Sequence, residues 1–208
     1  MRGFITVSAI AFFSAAVAGC GGEASEATSG AGETAGEDAT ASAGPGDEAL
    51  QAASAAGNTA REAAVSSGVA GAMTATVNGE PKTFYIEGDS NLIDWKVAED
   101  GSTRVEIIGS PVADDWEWKG SMELTFNVSG STVSDPQIIF RSMGSTDFHR
   151  TTSGDIVVGD IRTDGDTLTV SGSFSGTLTY QSFKDIPLEG YPDQISINDG
   201  AFFASFDK

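Results

Sequence analysis

From Met122 to Val128 the chain alternates without a break, with Met122, Leu124, Phe126 and Val128 separated by Glu123, Thr125 and Asn127. Alternation at period two sends successive side chains to opposite faces of a strand, so one face meets a core and the other meets water. Runs of the same kind fall at 73–77, 82–87, 104–108, 137–141, 156–161, 167–170, 173–180, 194–197 and 202–206. Asn78-Gly79 and Asp164-Gly165 supply the left-handed backbone that tight hairpin turns require, so 73–87 and 156–170 read as hairpins. Gly101, Gly120, Gly130, Gly144, Gly154, Gly190 and Gly200 punctuate the rest. Roughly nine or ten short antiparallel strands with little helix predict an all-β domain over 72–208, an antiparallel β-sandwich or flattened barrel.

Upstream the pattern is different. Arg2 precedes an apolar run over 4–17, and Val17-Ala18-Gly19-Cys20 closes it with small residues just before the single cysteine of the chain. A short positive start, an apolar stretch of this length and a small-residue cleavage site make a signal peptide. A spanning helix needs about 20 apolar residues, more than are present before the polar segment begins.

These four residues resemble, position by position, the lipobox of bacterial lipoproteins: a branched residue, two small residues and a cysteine. The resemblance implies a diacylglycerol joined to Cys20 by a thioether, cleavage before Cys20 and acylation of the new amino terminus. Residues 1–19 would then be a lipoprotein signal peptide absent from the mature protein. Two or three acyl chains, at about 0.8 kcal/mol per buried methylene, make a near-permanent anchor where one alone is marginal. In enterobacterial lipoproteins an aspartate after the cysteine resembles an inner-membrane retention signal; Gly21 stands there, which implies sorting to the outer membrane. With no second cysteine, no disulfide contributes to the fold.

Between anchor and domain, 20–71 is almost entirely Ala, Gly, Ser, Thr, Glu and Asp, without an aromatic residue. Such a segment cannot bury enough apolar surface to offset the entropy of ordering, so it reads as a disordered acidic tether. About 50 residues of random coil reach ~40 Å. Within it, Asp47-Glu48-Ala49-Leu50 opens an Ala-rich run to Val65, with acids at the start and Arg61 near the end, as a helix prefers. Gly57-Asn58 interrupts the run and no wide apolar stripe accompanies it, so the expectation is a partly formed helical spacer.

Charge narrows the partners. The chain carries a net charge of −19, with 30 acids against 11 bases. A surface this acidic repels phosphate backbones, which excludes nucleic acid; the membrane, reached through lipid on Cys20, and an envelope protein or glycan remain.

Catalytic and metal motifs are sparse. His149 is the sole histidine, and the chain has no Gly-x-Ser-x-Gly, no paired histidines for zinc and no phosphate-binding glycine loop. His149 therefore reads as an ordinary strand or loop residue and the protein as a non-enzyme without cofactor. Trp116 and Trp118, at i and i+2, would share one strand face beside Asp114 and Asp115, where two indoles could stack on a sugar ring. Alternation with Glu117 and Lys119 favours that face being the core, and Trp95 reads as core as well. Asp155, Asp160, Asp164 and Asp166 crowd one hairpin; calcium would use such oxygens, but Asp and Gly are also what a tight turn needs, and the turn reading is preferred.

The segment Ala75-Thr76-Val77-Asn78-Gly79-Glu80-Pro81 with Phe84 looks like the start of the small β-sandwich domains of unknown function found in bacterial lipoproteins. Val170-Ser171-Gly172-Ser173-Phe174-Ser175-Gly176-Thr177-Leu178 and Ile195-Ser196-Ile197-Asn198-Asp199-Gly200-Ala201-Phe202 look like their end. The resemblance covers the first hairpin and the last strands; it implies fold and anchoring and brings no catalytic residue.

Overall fold

The computed structural model describes residues 44–88, 93–111, 120–142, 147–182 and 191–207. The signal peptide, Cys20 and the first half of the tether lie outside these residues, as do Trp116 and Trp118.

One helix precedes the strands: α1 is Asp47–Ser67. The strands follow as β1 Gly71–Val77, β2 Glu80–Ile86, β3 Ile93–Val97, β4 Thr103–Gly109, β5 Gly120–Ser129, β6 Thr132–Ser142, β7 Phe148–Asp164, β8 Thr167–Gln181 and β9 Gln194–Asp207. They form one antiparallel, nine-stranded open sheet in the order β2-β1-β9-β8-β7-β6-β5-β4-β3. Turn chemistry sets the registers. Val77 pairs with Glu80 around Asn78-Gly79, both at positive φ (50° and 82°), and Asp164 pairs with Thr167 around Gly165, at φ 60°.

Alternation worked as expected. In β5 the buried residues Met122, Leu124, Phe126 and Val128 face inward. Every strand contributes to the same cluster, from Met73 and Phe84 through Trp95, Ile107 and Ile138 to Val158, Leu178, Phe202 and Phe206. Burying each such side chain contributes about 1.5–3 kcal/mol, so this cluster is the main source of stability.

A flat sheet could not enclose that cluster, and the shortest ladder in the sheet lies between β6 and β7. The β6–β7 ladder has only three pairs, Ile139–Arg150, Phe140–His149 and Arg141–Phe148. Beyond it Thr151 Oγ1 takes both backbone groups of Ile138, accepting from N–H at 2.6 Å and donating to C=O at 3.1 Å. A side chain thereby satisfies the peptide groups where the two strands part. The halves on either side face each other: Phe126 of β5 lies 5.8 Å from Phe202 of β9, and Phe84 of β2 lies 6.3 Å from Phe140 of β6, centroid to centroid. Past the end of β4, Ser110 bridges back to Tyr85 of β2 through two backbone hydrogen bonds.

The Ala-rich run differs from the expected loose spacer. It is a 21-residue helix whose Ala53, Gly57, Ala60 and Ala64 are buried. Their spacing of four, three and four residues forms one narrow stripe. Gly68, at φ 68°, ends the helix in the left-handed conformation, and Val69 N–H reaches back to Ala64 C=O at 3.2 Å. The stripe packs on the outer face of the sheet with Ala72, Ala201 and Phe203, while Arg61 lies 4.6 Å from the Phe203 ring centroid. Close approach is possible because both surfaces lack bulk: a Cβ on Gly57 would fall 2.7 Å from Ser171 Cβ, and one on Gly159 would fall 2.5 Å from Ser54 N. The compact unit accordingly runs from Ser42 to Lys208 and takes in residues that composition had assigned to the tether.

Candidate functional site

The outer face of β7, β8 and β9 is divided in two. Over Gly159, Ser171 and Ala201 it is covered by α1. Beyond the helix it bears a shallow recess of ≈ 280 Å³, lined by Ser153, Gly154 and Asp155 of β7, Ser175, Gly176 and Thr177 of β8, and Ser196, Ile197 and Asn198 of β9. The register shifts at this level in both ladders that build the recess, between Thr151 and Ser153 in β7 and between Phe174 and Gly176 in β8. The β1–β9 ladder shifts beside it, between Thr74 and Thr76. Bulges kink strands and re-aim side chains, and they recur next to binding sites. Asp199, beside Asn198, holds a left-handed φ of 50°, and Asn78 Oδ1 accepts from Ser196 N–H at 2.9 Å.

A second polar group lies inside the core, at the end of β7 and β8. His149 is only 2 % exposed and faces inward, opposite Tyr180. Its ring stacks on Tyr191 at 6.0 Å and 12°, and Tyr180 lies 5.6 Å from both rings. Nε2 is 2.8 Å from Pro192 C=O. A carbonyl only accepts, so Nε2 carries a hydrogen, and Nδ1 has no hydrogen-bond partner among the described residues. Asp147, also buried, accepts from Tyr180 Oη at 2.8 Å and from Ser182 Oγ at 3.3 Å. These contacts tie together the start of β7, the end of β8 and the approach to β9.

On the outer face of β5–β7, Glu123 meets Arg141 at 3.7 Å, Arg141 lies 5.0 Å from the Phe148 ring, and Arg150 donates to Gln137. Burial raises the Glu123 pKa above the usual carboxylate range, with Arg141 opposing the shift. Glu106 and Arg150 also act on Glu123, so charges of both signs meet here.

The aspartates read as turn residues are dispersed. Asp160 pairs with Arg162 at 2.6 Å, Asp164 and Asp166 flank the β7–β8 turn, and Asp155 enters the recess. No group of three or more His, Cys, Asp or Glu side chains able to hold a metal occurs among the described residues. Trp95 is core, as read from sequence. The recess escaped sequence reading because its residues are single Ser, Thr and Asn positions on three strands; the signal that could have found it is the repeated Gly with short hydroxylated neighbours in 153–155 and 175–177. Comparison with known families, curated proteins and solved structures finds no match for this chain.

Proposed function

We propose that this protein is a lipid-anchored lipoprotein of the bacterial envelope, sorted to the outer membrane, whose β domain has a binding or structural role without catalysis. The observation that carries the reading is Val17-Ala18-Gly19-Cys20 at the close of an apolar run headed by Arg2, with no other cysteine in the chain. Two or three acyl chains on Cys20 would hold the domain at a membrane, and a net charge of −19 would keep it from adsorbing to anionic headgroups. With α1 part of the domain, the spacer between anchor and domain comprises 21–41, shorter than composition alone suggests. The test is fractionation of cells expressing the native protein or Cys20→Ala: the native chain should sediment with outer membrane and the variant should not. Equal distribution of the two would remove the anchor.

For the domain, the facing pairs Phe126–Phe202 and Phe84–Phe140 and the Tyr85–Ser110 bridge favour a flattened barrel over two separate sheets. A second reading of its role, a surface module that takes a glycan, is favoured by the recess, whose lining is rich in hydroxyl groups.

A further inference from the structure

The outward side chains of the recess are Ser153, Asp155, Ser175, Thr177, Ser196 and Asn198: four hydroxyls, one amide and one carboxylate on three adjacent strands, with no lysine, arginine or aromatic residue among the lining. Exposed faces of strands in a soluble domain commonly carry long charged side chains for solubility. Here those are missing where the sheet is bulged into a depression. We propose that the recess binds a single neutral sugar ring, with Asp155 and Asn198 as its anchoring groups; this rests on the glycan reading above and gives it a site.

The chemistry of the lining selects that ligand class. Anions are disfavoured, because no cation lines the recess among the described residues and the chain carries −19 overall. A divalent cation is disfavoured because calcium takes six to eight oxygens, usually with several carboxylates, and Asp155 is the only carboxylate among the described residues that line the recess. A vicinal diol matches the set. One carboxylate accepts two hydroxyl donors, an amide donates to one sugar oxygen while accepting from another, and rotating serine hydroxyls adapt to the rest. The volume, ≈ 280 Å³, lies just below the usual range of ligand pockets and leaves room for one ring rather than a chain. Without an aromatic platform in the lining, affinity should be weak, with Kd on the order of 1 mM.

The test is saturation-transfer NMR on the full mature protein in detergent, with the methyl glycosides of glucose, galactose, mannose and N-acetylglucosamine as separate probes. Asp155 and Asn198 are exposed, so Asp155→Ala, Asp155→Asn and Asn198→Ala should leave the thermal midpoint in place. The expected result is transfer to ring protons of at least one glycoside, weakened about tenfold by Asp155→Ala and by Asn198→Ala. A Trp116→Ala/Trp118→Ala double variant should keep that binding. Binding that survives the recess variants and disappears with the two tryptophans would overturn the site while leaving the glycan reading in place. Absence of transfer from all four probes would overturn both. Occupancy of the recess by calcium alone, read from Asn198 and Ser175 amide shifts without any sugar response, would overturn the proposal in favour of a cation site.

Discussion

Replacing Gly57 by alanine separates a docked helix from a loose spacer by the sign of its effect. In a helix that touches nothing, Gly→Ala is stabilising by roughly 0.5–1 kcal/mol, because alanine loses less backbone entropy. In α1 the added Cβ would sit 2.7 Å from Ser171 Cβ, 2.8 Å from Ser171 Oγ and 3.2 Å from Gly172 N. Two of these neighbours are fixed close to the backbone of β8 and cannot swing aside, so the helix has to lift. Overpacking of this kind costs about 1–3 kcal/mol, which outweighs the propensity gain and leaves a net loss of about 1 kcal/mol. Gly57→Val adds two methyls beyond that Cβ and a poor helix former, and should cost about 3 kcal/mol as Ala60, Ala64 and Phe203 lose their cover. Urea unfolding followed by far-UV circular dichroism reads both: at a slope of about 2 kcal/mol/M the midpoints should fall by ~0.5 M and ~1.5 M. Asn58→Ala, one residue along on the exposed side, should raise the midpoint slightly. A midpoint that rises or stays put in Gly57→Ala would refute the docked helix.

Gly159→Ala should act like Gly57→Ala, since its Cβ would meet Ser54 N at 2.5 Å; because either change lifts the same helix, the double variant should lose less than the sum of the two, by a urea double-mutant cycle. Thr151→Val removes the hydroxyl that serves both backbone groups of buried Ile138, and at about 1–3 kcal/mol per unsatisfied group it should be clearly destabilising; amide exchange at Ile138 should speed up, while Thr151→Ser should preserve protection. For Glu123 the pKa is raised in the folded state, so the native protein holds its proton more tightly than the unfolded chain does. The stability contribution of that proton is complete below the unfolded carboxylate pKa and is lost as pH rises through the higher folded value. Unfolding free energies measured from pH 4 to pH 8 should therefore decline less steeply in Glu123→Gln than in the native chain.

The strands were legible because one face of each is buried, and burial imposes a two-residue period. In β8 and β9 glycine makes reading and structure differ. Ser171-Gly172 and Asp199-Gly200 look like breaks, which divides β8 and β9 into two strands each. In the fold both strands run on, since a Cβ on Gly172 would lie 2.1 Å from Val157 O and one on Gly200 would lie 2.2 Å from Phe174 O. These glycines admit a neighbouring strand and do not mark turns. β3 does not appear among the runs read from sequence, although Trp95 reads as core and Ile93 to Val97 alternates apolar and polar residues; it is a five-residue strand at the edge of the sheet. Helix α1 was visible as a helix, but its docking was not, because a stripe of alanine and glycine carries little hydrophobic signal and its complement, Gly159 and Ser171, lies more than a hundred residues away. The His149 cluster was hidden in the same way: Asp147, Tyr180 and Tyr191 join it only through the pairing of β7 with β8 and the entry to β9.

The most direct test of the central claim is the intact mass of the protein purified from membranes. A lipid-anchored envelope lipoprotein predicts a chain beginning at Cys20 and heavier than its residues by a diacylglyceryl group and, where the amine is acylated, one further acyl chain. A mass equal to an unmodified polypeptide, whether it starts at Met1 or after cleavage at another position, would contradict the account.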